Sequence, residues 1–239
     1  MMFEALATDY DGTLAHDGVV DETTVAALVR ARSAGLRLIM VTGREVSDLM
    51  NIFSQAALFD SIVGENGGVL YDPATQTLDV LGAAPPSTLI ERLTNEHVPS
   101  SVGHSIVATA KPYEHHLLDA IRDLELEWHV IFNKGSVMAL PADVTKASGL
   151  AAALKLLGVS SAHTVGVGDA ENDQAFLRAC GVAVAVANAL QSVKDRAHLV
   201  TSRAHGAGVV ELIDRLLAGE LDRLPRRRDG GEPSPALQA

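Results

Sequence analysis

The stretch ATDYDGTLAHDG, residues 7–18, follows the short apolar run EALAT (4–8) and sets two carboxylates, Asp9 and Asp11, one residue apart before a glycine turn. Residues two apart in extended chain point to the same side, so both carboxylates can face one pocket at a strand end. Two ionised carboxylates at that spacing repel, and burial adds to the cost. The arrangement implies a positive partner close by.

Outward from this stretch, the first half alternates apolar runs with amphipathic ones. Asp21 reads as the N-cap of a helix with Val25, Leu28 and Val29 on one face and Gly35 at its end. LRLIMV (36–41) is a second strand, a helix carrying Val46, Leu49, Met50 and Phe53 follows, and SIVG (61–64) is a third strand. Strands joined by crossover helices pair in parallel and bury both sheet faces. The expected fold is α/β, a doubly wound, mostly parallel Rossmann-like sheet. After Gly82 the rhythm changes to helix, strand, helix, strand, strand, ending in WHVIFN (128–133) and SVMAL (136–140), which read as a hairpin. This is a small inserted α+β unit, residues 83–143, splitting a core of 1–82 and 144–222. The alternation then resumes with a helix at 147–157, AHTVGVG (162–168), a helix at 171–179, VAVAV (182–186), HLVT (198–201) and a last helix at about 206–221. Residues 223–239, rich in Pro, Gly and charge, read as a disordered tail.

The composition, 47% hydrophobic and 21% charged over 239 residues, suits a packed soluble chain. The formal charge of -11 argues against a nucleic-acid partner. A small anion needs only a local positive pocket, which a bound cation can create. No stretch reads as a membrane span or a secretory leader, so the expected location is the cytoplasm. The single cysteine, Cys180, lies in the apolar RACGVAVAV and reads as core packing.

Working groups of open parallel sheets collect at the carboxyl ends of the strands. Here those ends carry Asp9 and Asp11, then Thr42, Gly43 and Arg44, then Asp169, Asn172 and Asp173, while Lys146 opens a helix after the insertion. Four carboxylates (Asp9, Asp11, Asp169 and Asp173) in one place require a cation. Oxygen ligands without cysteine or a histidine pair select a hard ion that keeps water, and Mg²⁺ fits best. Lys146, the Thr42 hydroxyl and the Gly43 N–H complete a site for a phosphoryl group. Asp9 is the expected nucleophile, and Asp11 the acid that protonates the leaving oxygen and then the base that activates water. Arg44, Asn172, and Asn133 and Lys134 of the polar loop NKGS (133–136) are candidate substrate contacts. Arg44 equally suits a solvated helix start, and capping of the following helix is a lesser alternative for Asn172 and Asp173, compatible with ion binding. Glu65 and Asn66 read as turn formers, and the adjacent His115 and His116 as solvated surface.

The segments DYDGTL (9–14), VTGR (41–44), Lys146 and GDAEND (168–173) resemble, in order, the four motifs of the haloacid dehalogenase superfamily. GENGGVLYDP (64–73), GVAVAVANA (181–189) and the position of the insertion resemble its Cof-like phosphatase subgroup with an α+β cap. The resemblance implies Mg²⁺ held by Asp9, the backbone carbonyl of Asp11 and Asp169. It also implies hydrolysis of a small phosphorylated metabolite, a sugar phosphate or a phosphoglycolate-like acid, through an aspartyl phosphate. Ala147 departs from the glycine often found after the lysine. Alternatives on the same core are a phosphomutase or phosphotransferase, and a receiver-like or non-catalytic phosphate-binding regulator. Oligomeric state is not readable from the sequence.

Overall fold

A computed structural model describes residues 2–133 and 135–227. Lys134 and the tail beyond 227 lie outside the described residues. The strands, in chain order, are β1 (Ala5–Thr8), β2 (Arg37–Val41), β3 (Ser61–Gly64), β4 (Val69–Asp72), β5 (Thr77–Val80), β6 (Ser101–Val102), β7 (Val107–Ala110), β8 (Trp128–Asn133), β9 (Ser136–Pro141), β10 (Thr164–Gly168), β11 (Val182–Ala185) and β12 (Leu199–Val200). The helices are α1 (Glu22–Ser33), α2 (Val46–Ile52), α3 (Ser87–Asn95), α4 (Glu114–Asp123), α5 (Lys146–Leu157), α6 (Gln174–Ala179), α7 (Gln191–Lys194) and α8 (His205–Leu217).

The first sheet has eight strands in the order β12-β11-β10-β1-β2-β3-β4-β5. Its six strands from β12 to β3 are parallel, as continuous apolar runs buried on both faces require. Helices α1 and α8 pack together on one face, and α5 and α6 on the other. Leu6, Ile39, Met40, Val165 and Val184 are fully buried between the layers. The expected α1 cap is present, with the Asp21 carboxylate accepting the Thr24 N–H at 2.7 Å. The antiparallel hairpin β4–β5 at the sheet edge adds two strands in 69–80 that the sequence pattern does not mark.

Placing β1 between β10 and β2 puts the site where the chain winds in both directions from one strand. In register, Thr8 lies beside Val167 on one side and Met40 on the other, and the Asp9 N–H donates to the Val167 carbonyl at 3.0 Å. The residues after these strand ends, Asp9, Thr42 and Asp169, therefore converge on one crevice.

A second, antiparallel sheet, β6-β7-β9-β8, lies between β5 and β10 in the chain. One face packs on α3 and α4 through Leu89, Leu93, Leu117, Val137 and Ala139. Alternation along β9 sends Met138 and Leu140 to the opposite face, with Ile106 and Ile131.

At the C-terminal end, residues 223–227 are tied down although the sequence reading assigns them to the tail. Glu220–Arg223 is a short 3-10 turn, and the Arg227 N–H donates to the Gly181 carbonyl at 3.0 Å while its guanidinium donates to the Leu177 and Arg196 carbonyls. Beside it, His198 Nδ1 accepts the Ala183 N–H at 2.9 Å, which requires a neutral ring. Burial, then the Arg227 charge, holds His198 below its ordinary value of 6.5. The unfolded chain takes up this proton more readily than the folded one, so stability is complete above the ordinary value and falls as pH drops through it. Tm should fall between pH 7 and pH 5, by roughly 2–4 °C per kcal/mol lost. His198→Asn, whose Oδ1 can accept the same N–H without titrating, should flatten that fall in a pH series of melting curves.

Candidate active site

Asp9, Asp169 and Asp173 each offer an oxygen, all within 4.8 Å of one another, and all three are buried. Lys146 Nζ sits among them, 2.7 Å from Asp9 Oδ1 and 2.6 Å from Asp173 Oδ1. Its position follows from local chemistry. Thr145 caps α5, accepting the Ser148 N–H at 3.1 Å while its own N–H donates to Ser148 Oγ at 2.9 Å. Lys146 is thus the first helical residue, and Ala147 lies within the helix, where no glycine is needed.

Three carboxylates against one ammonium leave an excess of buried negative charge. Burial, then the Asp173 charge, pushes the Asp9 carboxyl up to about 8. Burial opposes the charge on Lys146, but Asp173 and Asp9 outweigh it and hold the ammonium protonated above its ordinary range. A further hard cation among these oxygens relieves the imbalance, so the donor set fits a divalent ion.

The three carboxylates do not have equal freedom. Asp173 uses one oxygen for Lys146 and the other for the N–H groups of Asp169 and Ala170, both at 2.9 Å. It caps the loop that carries Asp169 and positions Lys146, so the capping alternative and the carboxylate cluster coexist. Asp169 Oδ1 accepts the Thr13 hydroxyl at 3.2 Å.

The Asp11 side chain stands apart from the close cluster of Asp9, Asp169 and Asp173. Its two oxygens instead take a bidentate pair from Arg44 Nε and Nη2 at 2.7 and 2.8 Å. Arg44 also pairs with Asp48 and lies 5.7 Å from the Tyr10 ring centre, so the guanidinium is partnered although the side chain stays partly exposed. Thr42 is fully buried, and its hydroxyl accepts the Arg44 N–H at 3.2 Å. That bond shapes the turn after β2.

A cavity of about 580 Å³ opens over this cluster. Its floor is Asp9, Asp11, Gly43, Arg44, Lys146 and Asn172, and Glu45 and Asp48 form one side. The second sheet supplies the roof with Ser101, Ile106, Ala108, Asn133, Ser136 and Met138. The structure thus brings Asp9, Asp11, Gly43, Arg44, Lys146, Asn172 and Asn133 to one cavity. Thr42, Asp169 and Asp173 stand behind its wall.

Some contributors escape sequence reasoning. Asn188 Nδ2 donates to the Gly12 carbonyl at 2.8 Å, and His205 Nδ1 meets the same carbonyl at 3.0 Å. Both pin the turn after Asp11, where Gly12 has φ +94°. The only sequence trace is the polar Asn188 interrupting VAVANA. Cys180 is buried as expected, and burial pushes its thiol up to about 12.

The chain is similar to several known proteins. A family model described as haloacid dehalogenase-like hydrolase matches residues 6–95 and 104–213. A phosphoglycolate phosphatase of Methanothermobacter thermautotrophicus is 32% identical over 222 residues, covering 89% of this chain and 98% of its own. Phosphoglycolate phosphatase 2 of Saccharolobus solfataricus is 30% identical over 223 residues, covering 91% and 94%. A crystal structure of a haloacid dehalogenase-like hydrolase from Bacteroides thetaiotaomicron superposes with a TM-score of 0.77 at 18% identity, covering 90% of this chain and 99% of its own. A haloacid dehalogenase-like hydrolase from B. subtilis gives 0.71 at 19% identity, covering 90% and 100%. At such identities these two likenesses speak for the fold.

Proposed function

The chain belongs to the haloacid dehalogenase-like hydrolases and works as a phosphatase, and we propose that it hydrolyses a small phosphorylated metabolite through an acyl phosphate on Asp9. The observation that carries this reading is the buried Asp9, Asp169 and Asp173 cluster with Lys146, of which Asp9 and Lys146 reach the floor of a roofed cavity. Asp9 and Asp169, with the backbone carbonyl of Asp11, would hold Mg²⁺. The bound ion would neutralise phosphoryl charge and balance the carboxylates.

In the first step Asp9 attacks phosphorus, the ester oxygen leaves, and Asp11 gives that oxygen a proton. Arg44 holds both Asp11 oxygens, so this transfer requires Asp11 first to take up a proton from solvent and its carboxyl group to turn from Arg44 toward the leaving group; Asp48 keeps the guanidinium paired meanwhile. In the second step Asp11 takes a proton from water, whose oxygen attacks phosphorus. The acyl phosphate bond breaks, and Asp9 and inorganic phosphate are released. Lys146 offsets the negative charge on Asp9 throughout, and Gly43 presents its backbone to the phosphoryl oxygens.

Residues 83–143 act in this reading as a cap over a core of 1–82 and 144–222. The roof excludes bulk water and limits the leaving group to a small one. The names of the two archaeal relatives support phosphoglycolate or a similar phosphorylated acid, and a phosphorylated sugar is the other class this fold resembles. Among the described residues no helix is long and apolar enough to cross a membrane.

The test is phosphate release from a panel of phosphorylated acids and sugars, with Mg²⁺ and after EDTA. The expected result is release from one or a few small esters, lost with EDTA and restored by Mg²⁺. Silence across the panel with Mg²⁺ present, or full activity in EDTA, overturns the reading.

A further inference from the structure

Between β3 and β4 the chain runs Gly64-Glu65-Asn66-Gly67-Gly68. Glu65 and Asn66 both adopt left-handed backbone, φ 51° and 52°, a conformation rare for a residue with a side chain and rarer for Glu than for Asn. Gly67 follows at φ +111°, and a Cβ there would meet the Thr145 carbonyl oxygen at 2.0 Å. A turn alone needs only the backbone conformation, which glycine supplies without steric cost. Retaining two polar side chains in a buried turn is costly unless their atoms are bonded, and these are bonded to elements on both sides of the cavity.

Glu65 is 1% exposed. Its Oε1 accepts the His104 N–H at 3.1 Å and lies 3.1 Å from His104 Nδ1, and its Oε2 accepts the Ser105 N–H at 2.8 Å. Both partners belong to the segment that leads into β7 of the roof. Asn66 is fully buried. Its Oδ1 accepts from Asn172 Nδ2 at 3.0 Å and its Nδ2 donates to Met138 Sδ at 3.4 Å. Asn172 is on the cavity floor, and Met138 is on the roof.

We infer that Glu65 and Asn66 are positioning residues that couple the inserted sheet to the catalytic loop, holding Met138 and Asn172 at a fixed separation as opposite walls of the substrate cavity. The inference rests on the reading of the second sheet as a cap over a phosphatase site. Neither residue touches the reacting atoms. Their effect is on how closely the roof follows the floor, and so on which leaving groups are held.

Asn66→Gly tests this, because glycine keeps the left-handed backbone and deletes both ties. The expected result is a KM raised roughly tenfold, the scale of one lost hydrogen bond, on the ester found by the panel. The kcat should change by less than about threefold, since groups that act only in the chemical step are untouched. Hydrogen exchange should quicken at 104–107 and 136–140 and stay as in the wild type at 164–168. Met138→Leu, which preserves size and removes the sulfur acceptor, should shift both readouts the same way by less. Glu65→Gln, with the shape kept and the charge removed, should quicken exchange at 104–107. An Asn66→Gly protein with wild-type KM and wild-type exchange at both segments overturns the inference and leaves the pair as turn formers. If the wild-type protein hydrolyses nothing, the phosphatase reading fails separately. The exchange measurements still decide the coupling, faster exchange supporting it and unchanged exchange overturning it.

Discussion

Asp9→Asn should abolish turnover, by a factor on the order of 10⁴ or more as for other lost nucleophiles, in a protein that remains folded. The amide fits the same space beside Lys146, but its nitrogen lone pair is delocalised and its oxygen is a poor nucleophile. Stability should move in the opposite direction to activity. The Asp9 carboxyl is raised from an ordinary 3.8 to about 8 by burial and by Asp173, so the folded protein holds this proton where the unfolded chain has released it. Stability from this group is complete below the ordinary value and is lost as pH rises through it toward about 8. In EDTA the wild-type Tm should therefore fall across that window, and the Asn variant should be flatter and melt higher at its upper end. Melting curves across pH, run beside a phosphate-release assay, read both effects. Near-normal turnover in Asp9→Asn would remove Asp9 as the nucleophile, whatever the melting curves show.

That prediction was legible in the sequence because its determinants are local. An apolar run followed by D-Y-D-G-T places two carboxylates at a strand end, and the repeated strand-and-helix rhythm identifies the sheet that gathers them. The same logic reached Lys146 and Asp169, since each sits where a buried element starts or stops. What stayed hidden depends on partners far apart in the chain. The Arg44 and Asp11 pair joins two strand ends, and neither residue's neighbours announce it. Glu65 carries no sign that its carboxylate is buried against His104 and Ser105, because turn-forming pattern and buried coupling share one short string. The hairpin β4–β5 was missed for a related reason. Its outer strand is mostly exposed, with only Leu78 partly covered, so the alternation that marks half-buried strands is faint. The two-residue β6 and four-residue α7 are too short to show a period at all. His116 reads as surface and is half exposed, but it pairs with Glu96 at 2.8 Å, a contact set by how α3 and α4 pack.

Lys146→Met separates the structural from the chemical part of the site. The substitution removes the ammonium that Asp9 and Asp173 share while filling most of the same volume, leaving the Asp173 carboxylate buried beside Asp9 without a protein cation. Breaking a buried ion pair from one side typically costs about 3–5 kcal/mol, and at roughly 2–4 °C per kcal/mol the metal-free Tm should drop by something near 10 °C. Millimolar Mg²⁺ should recover more of that loss than it adds to the wild type, because the ion then carries the whole burden of neutralising the cluster. Adding Asp173→Asn should restore part of the stability in EDTA, since the stranded Asp173 charge is gone. The double variant should therefore be more stable than Lys146→Met alone, and Asp173→Asn alone should lack that gain, a coupling that separate, additive effects would not produce. Activity should follow a different order. Both variants should fall by about 10²–10³, the scale for losing one group that stabilises developing charge, and Mg²⁺ should rescue Tm without rescuing rate. A Lys146→Met protein that melts like the wild type in EDTA would mean that the ammonium is not what compensates these carboxylates, and the electrostatic account of the site would fall with it.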